Sequence, residues 1–368
     1  MLPVDTGLSV TLSPRDGRIA DVDIRSGRLV QASRLLVGKP PAQVGTILPS
    51  LYSLCGTAQG LAGAEAMEQA LGLGLAPAQR TARRFLLLVE TITEHAAAIL
   101  RDWALLLGGP PDAAAVKPLR PLLATARRAL YPQGDWARVG GGGLLPDVEA
   151  LAGLMRGLSQ ASERGRIAAT PLLDRVEAKG LGGFGVAPFR PMPENGPADL
   201  AERLAKDEDG AYVACPDYRG ESLETGPLAR RRDHALIAGL MARHGAGLMP
   251  RFMARLLDMA AALREAEELV QDLTEAPSGT EPPLTDGVGL SRIEAARGLL
   301  VHRVEMEKGV VRRYQILAPT EWNFHPKGAF AKGLTGVAAG SDPVFLARLL
   351  AAALDPCVTC DITVAGHA

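Results

Sequence analysis

EAARGLLVHRVEMEKGVVRRYQILAPTEWN, residues 294–323, is the stretch from which the fold can be read outward. Gly298 to Met306 and Val310 to Ala318 are strand-like, and Lys308-Gly309 between them is a turn signal. The pattern predicts a β-hairpin. Before it, Glu275 to Gly289 is rich in Pro, Gly and Thr and reads as an exposed connection. After it, Pro343 to Leu354 reads as a last helix, and the sequence ends in DPCVTCDITVAGHA.

Toward the N-terminus the period changes. Phe85, Leu88, Ile92, Ala96, Ile99, Trp103 and Leu106 recur at three- and four-residue spacing, which predicts a helix from Pro77 to about Leu107. Further helices are expected near 114–130 and 147–163, and from about Ala229 to Leu273 with a break near Gly245 to Pro250. Pro188 to Asp209 reads as loop. Residues 8–33 read as a small antiparallel meander with turns at Asp16-Gly17 and Ser26-Gly27, and a polar, glycine-containing loop leads from it to Cys55. The expectation is a mainly α protein with small β elements (α+β) in one domain, 1–368. Its parts are a meander over 1–35, a helical core over 76–275, the hairpin region over 290–325 and a last helix with the CxxC tail over 342–368.

Composition narrows the function classes. Apolar residues make up 47% of 368, enough for a sizeable core, and the net charge of −1 offers no bulk attraction to nucleic acid or an anionic membrane. No run is long and apolar enough for a membrane span, and the N-terminus does not read as a signal peptide. Four cysteines, two of them in a CxxC pair, suggest the cytoplasm and metal or redox use.

Cys357-Val-Thr-Cys360 can chelate one metal ion or close a strained disulfide. A thioredoxin-like role needs a helix after the motif, and the few residues that follow do not predict one. Structural zinc needs four ligands and would have to recruit Cys55, Cys215 or a distant histidine. Cys55 alone reads as a small buried hydrophobe. Ordinary packing accounts for Cys215 and His302, and loop polarity for His325. Glu224 and Arg230 suggest a buried ionic network, and Arg264 to Glu268 a solvated helix face.

Several segments in order resemble one family. CPDYRGESLETGPLAR (215–230), EAARGLLVH (294–302), YQILAPTEWN (314–323) and DPCVTC (355–360) resemble segments of the large subunit of nickel–iron hydrogenases, and SLCGTA (53–58) looks like a decayed form of its R-x-C-G-x-C. The resemblance implies a hydrogenase-large-subunit-like helical core. In that family four cysteines hold nickel and an iron carrying two cyanides and one carbonyl. Carried over, Cys55 and Cys357 match terminal nickel ligands and Cys360 a bridging one. The other bridging position is Ala58. The expected histidine four residues on is Ala62, the arginine before the first motif is Ser53, and the histidine after the second is Thr363. Arg297 and Thr320 match donors to the cyanides, while Leu300 and Pro319 match apolar walls. The proline before the arginine is Ala296. Asp16 stands near the position of a family glutamate. Large-subunit precursors are cleaved after the terminal histidine, so no cleavage is expected here, and the terminus is expected to stay loose.

The selective loss implies an accessory member of the HupK/HoxV type, a non-catalytic scaffold for hydrogenase maturation. It would hold the cyanide- and carbonyl-ligated iron transiently through Cys55, Cys357 and Cys360. Nickel is not expected. The implied partners are a small maturation chaperone of the HypC type and the hydrogenase large-subunit precursor. Two other classes stay open: a working hydrogenase-like metalloenzyme with a modified site, and a metal-free chaperone or decoy that binds maturation factors.

Overall fold

The computed structural model describes residues 7–28, 32–52, 54–110, 113–193 and 196–366, the side chains of 196–198 excepted. Ser53, where the resemblance expects an arginine, lies outside them. Strands β1 (Leu8–Arg15) and β2 (Arg18–Ser26) form the expected antiparallel pair. Asp16 and Gly17 both adopt positive φ, 52° and 73°, as a two-residue hairpin turn requires.

The second half of the expected meander is different. After the bend at Ser26-Gly27 the chain forms a short 3-10 helix, Ala32–Leu36, instead of pairing as a third strand. Two helices then replace the expected loop: α1 (Pro41–Leu51) and α2 (Gly56–Ala70). Proline begins α1, where a missing N–H costs nothing. Helix α2 shows no apolar stripe because almost every one of its residues is buried.

Helix α3 (Pro77–Ala98) carries the expected apolar stripe and runs on through a π turn, Ile99–Trp103. Helix α4 (Arg120–Leu130) follows, then α5 (Val148–Ala178), which is longer than the spacing predicted. Its buried face continues through Gly165, Ala169, Leu172 and Val176. The proline-rich stretch from 188 to 209 is not all loop, since it contains α6 (Gly196–Lys206). The long helical region divides into α7 (Ala235–His244) and α8 (Leu248–Leu269) at the expected glycines. A Cβ on Gly247 would stand 2.5 Å from the Gly182 carbonyl oxygen, so the break is also a close backbone crossing.

The hairpin is a three-stranded sheet. Strand β3 (Gly287–Ala295) precedes β4 (Gly298–Glu307) and β5 (Val310–Leu317), in the order β3-β4-β5, with the expected turn at Lys308-Gly309. Residues 287–289 therefore belong to a strand. Its signal is weak because two of its inward residues, Gly289 and Ser291, are not large and apolar. Those small residues let α2 lie directly on the sheet. A Cβ on Gly289 would come within 1.8 Å of the Ala66 carbonyl oxygen, and Ser291 Oγ donates to the Ala62 carbonyl at 2.7 Å.

Helix α9 (Pro319–Asn323) leaves β5, and α10 (Pro343–Leu354) forms where the sequence places it, capped by Asp342 on Phe345 N–H at 2.8 Å. The terminus is not loose up to Val364. Strand β6 (Cys360–Val364) pairs parallel with β1, from Leu8↔Cys360 to Leu12↔Val364. Only Ile362 of that strand is buried, so its period-two signal is too short to stand out. Among the described residues no helix is long and apolar enough to cross a membrane.

Candidate functional site

Cys55 is the residue that opens α2, with φ −130°. Because α2 is pressed onto the β3-β4-β5 sheet, its first turn faces the end of β3 and the body of α3. Burial raises the Cys55 thiol well above its usual range, and Cys357 and then Glu90 push it further. Arg297 and a hydrogen bond from Gln59 Nε2, 3.7 Å from the sulfur, act in the opposite direction.

Cys357 reaches this place from the other end of the chain. Helix α10 ends at Asp355, whose φ of 54° turns the backbone sharply toward the CxxC segment. Thr320, in the first turn of α9, meets Cys357 there. The Cys357 N–H donates to Thr320 Oγ1 at 3.3 Å, and the same hydroxyl lies 3.0 Å from Cys357 Sγ. With one lone pair taken by the amide, the hydroxyl is free to donate its proton to the sulfur.

Arg297 sits in the tight connection between β3 and β4. Gly226 and Gly298 admit this connection: a Cβ on Gly226 would stand 2.8 Å from the Arg297 carbonyl oxygen, and Gly298 has φ 136°. The guanidinium is buried. Its Nη1 is 3.0 Å from Glu94, and its Nε is 3.2 Å from Asp355. Burial alone would lower its pKa, but Asp355, Glu94 and then the thiols of Cys357 and Cys55 raise it. Asp355 is pushed up by burial, yet Arg255 and Arg297 hold its carboxyl below the ordinary range. Burial raises Glu94 against the pull of Arg297. The Nε of Arg297 has no partner in hydrogen-bonding geometry. The guanidinium is thus held between two carboxylates while acting electrostatically on the thiols of Cys357 and Cys55.

The other expected residues fall as follows. Leu300, on β4, and Pro319, directly before Thr320, are both buried. Cys360 begins β6 opposite Leu8, and its thiol is raised to about 12 by burial and then by Asp361, without a contribution from Cys55 or Cys357. Ala58 and Ala62 are fully buried on α2. The structure brings Cys357 and Thr320 into contact and sets Arg297 within electrostatic reach of Cys55 and Cys357, while Cys360 begins the neighbouring strand. Among the described residues no three His, Cys, Asp or Glu side chains are grouped to hold a metal ion.

Reading the sequence missed the carboxylates. Glu90 lies under the start of α2 and accepts from Thr57 N–H at 2.7 Å and Ala58 N–H at 3.0 Å. Burial pushes it up to about 7 despite these bonds. The available signal was a pair of glutamates four residues apart, Glu90 and Glu94, on the face of α3 opposite its apolar stripe, where charge ordinarily reads as solvated. The ionic network also differs from expectation. Glu224 pairs with Arg251 at 2.8 Å, while Arg230 pairs with Asp258 and Glu294. Asp16 lies in an exposed turn outside the buried site. Cys215 is exposed, with its sulfur 2.9 Å from His325 Nε2.

Residues 186–363 match the family described as nickel-dependent hydrogenase. The chain is 31% identical to the hydrogenase expression/formation protein HupV of Azotobacter chroococcum, over 97% of this chain and 98% of that protein. It is 30% identical to the hydrogenase expression/formation protein HupK of Bradyrhizobium diazoefficiens, over 98% of each. The solved Ni-Fe-Se hydrogenase from D. vulgaris Hildenborough shares the fold at a TM-score of 0.71 and 19% identity, with 94% of both chains covered. With relatives matching nearly end to end, the chain belongs to the nickel-dependent hydrogenase large-subunit family, among the hydrogenase expression/formation proteins of the HupV and HupK kind.

Proposed function

We propose that this protein is a non-catalytic accessory factor in hydrogenase maturation that receives the cyanide- and carbonyl-ligated iron unit and passes it toward the hydrogenase large subunit. One observation carries the reading. Cys357 meets Thr320, and buried Arg297 acts electrostatically on both Cys55 and Cys357, while fully buried Ala58 stands where the resemblance places a bridging thiolate.

The donor count favours cargo over a resident binuclear centre. A bare metal ion commonly takes three or four protein donors, and thiolates suit soft, late metals. A fragment that arrives with three diatomic ligands needs only two or three. Cys55 and Cys357 supply two, and Cys360 or a cysteine of a small HypC-type chaperone is the candidate third. Arg297 and Thr320 are donors suited to cyanide nitrogens, and Leu300 and Pro319 are apolar neighbours suited to the carbonyl. A site with fewer protein ligands releases its load more readily, which a transfer step requires. The cytoplasm, where large-subunit precursors are assembled, is the compartment this role implies.

The test is infrared spectroscopy of the full chain, purified without oxygen from a host that makes the maturation machinery. Cyanide and carbonyl stretching bands are expected, and Cys55→Ala or Cys357→Ala should remove them. A spectrum without such bands, together with normal hydrogenase maturation in a deletion strain, overturns the proposal.

A further inference from the structure

We propose that Gln59, His302 and Tyr314 form a one-way hydrogen-bond chain that presents the Cys55 sulfur as an acceptor, so that it can take a soft metal fragment without any neighbour reorienting. This rests on the reading of Cys55 as a thiol that receives metal.

The direction of the chain follows from donor chemistry. His302 is fully buried on β4, and burial pulls its imidazole down to about 3, so the ring is neutral and carries one N–H. Its Nε2 lies 2.9 Å from Gln59 Oε1, an atom that can only accept. The proton is therefore on Nε2. Nδ1 must then accept, and the Tyr314 hydroxyl is 2.8 Å away to donate to it. With its oxygen engaged, Gln59 turns its NH2 toward Cys55 Sγ at 3.7 Å. Each donor in the series Tyr314, His302, Gln59 points one step nearer the sulfur.

The opposite polarity would place the Gln59 oxygen against Cys55 and require an S–H donor. A metal-bound sulfur has no such proton, so only the first direction remains satisfied once a metal arrives. Three features of the fold hold the chain in place. Gln59 stands one helical turn after Cys55, on the same face of α2. Gly63 leaves room for the tyrosine, since a Cβ there would stand 2.9 Å from the Tyr314 hydroxyl oxygen. Ser291 Oγ ties α2 to the sheet at the Ala62 carbonyl. Cys357 is held separately by Thr320, so Gln59 acts on one thiol of the pair.

The experiment uses the full-length, reduced, metal-free protein. Nitrogen-15 NMR should show His302 as the Nε2–H tautomer, and an Nδ1–H tautomer overturns the proposal. Cd2+ is then titrated and followed by thiolate-to-metal charge-transfer absorbance. Gln59→Leu should weaken binding about tenfold. The same change in a Cys55→Ala background should alter it less than about twofold, because the contact it removes is already gone. Gln59→Glu keeps an acceptor for His302 but loses the N–H, so it should weaken Cd2+ as much as leucine does while retaining the His302 tautomer. Equal effects of Gln59→Leu in both backgrounds would mark a packing role and overturn the proposal, as would no effect in either. The infrared test of the iron unit involves no Gln59 variant, so failure of one reading is recognisable apart from failure of the other.

Discussion

The two sides of the site are built by different means. On the side formed by β4, α9 and the CxxC segment, charges and hydroxyls do the holding: Arg297 between Glu94 and Asp355, and Thr320 on Cys357. On the side formed by the start of α2, small residues and one buried carboxylate do it: Ala58, Ala62 and Gly63, with Glu90 under the first amides. By the resemblance, the α2 side lacks a bridging cysteine, at Ala58, and a histidine, at Ala62, whereas the charged side keeps Arg297, Thr320 and Cys357 but has Ala296 for a proline and Thr363 for a histidine. Of the four thiolates that the resemblance implies, the missing one falls on α2. A site can be hollowed on one side while the other stays rigid, because the rigidity of the second does not come from the metal.

That contrast breaks first at Arg297. Arg297→Leu leaves Glu94 and Asp355 facing each other without their shared cation, and removing one partner of a buried ion network costs about 3–5 kcal/mol. Urea unfolding of the metal-free protein should show a loss of this size. A loss under about 1 kcal/mol would mean that the charged side is not held as described.

The α2 side should answer to pH instead. Glu90 binds its proton more tightly in the folded protein, at about 7 against its ordinary 4.5. The unfolded chain therefore holds fewer protons in that interval, and stability contributed by Glu90 is present at low pH and lost as pH rises through about 7. Unfolding free energies measured from pH 4.5 to 7.5 should fall along this slope in the native sequence, and the fall should be shallower in Glu90→Gln. An unchanged slope would assign the pH dependence to another group.

The smallest effect is expected at Thr320. Thr320→Val keeps the shape of the α9 turn but leaves the Cys357 N–H without its acceptor, a change of about 1 kcal/mol. Thermal unfolding should register a fall of a few degrees. A larger fall would show that the hydroxyl also orders the CxxC segment.

The strong periodic elements could be read from sequence, and the closely packed ones could not. The apolar stripe of α3, the Lys308-Gly309 hairpin and α10 follow from local pattern alone. Helix α2 and strand β3 escaped because they fit together backbone to backbone, through Gly287, Gly289, Ser291, Ala62 and Ala66, residues with almost no hydropathic signature. Cys55, Arg297, Thr320 and Cys357 were legible through resemblance, and three-dimensional proximity now joins them. Glu94, Asp355 and Glu90 were not, because a carboxylate away from an apolar stripe reads as solvated until its cation or amide partner is known. Cys360 was read with Cys357 from their spacing. A strand beginning at Cys360 turns successive side chains to opposite faces, which spacing alone does not reveal.

The pairing of β6 with β1 joins segments from opposite ends of the polypeptide. Contacts of such long sequence separation close large loops, and topologies rich in them fold slowly. Cys357 lies just before that seam and Cys55 far from it in sequence, so a site that uses both depends on a closure between distant segments of the chain.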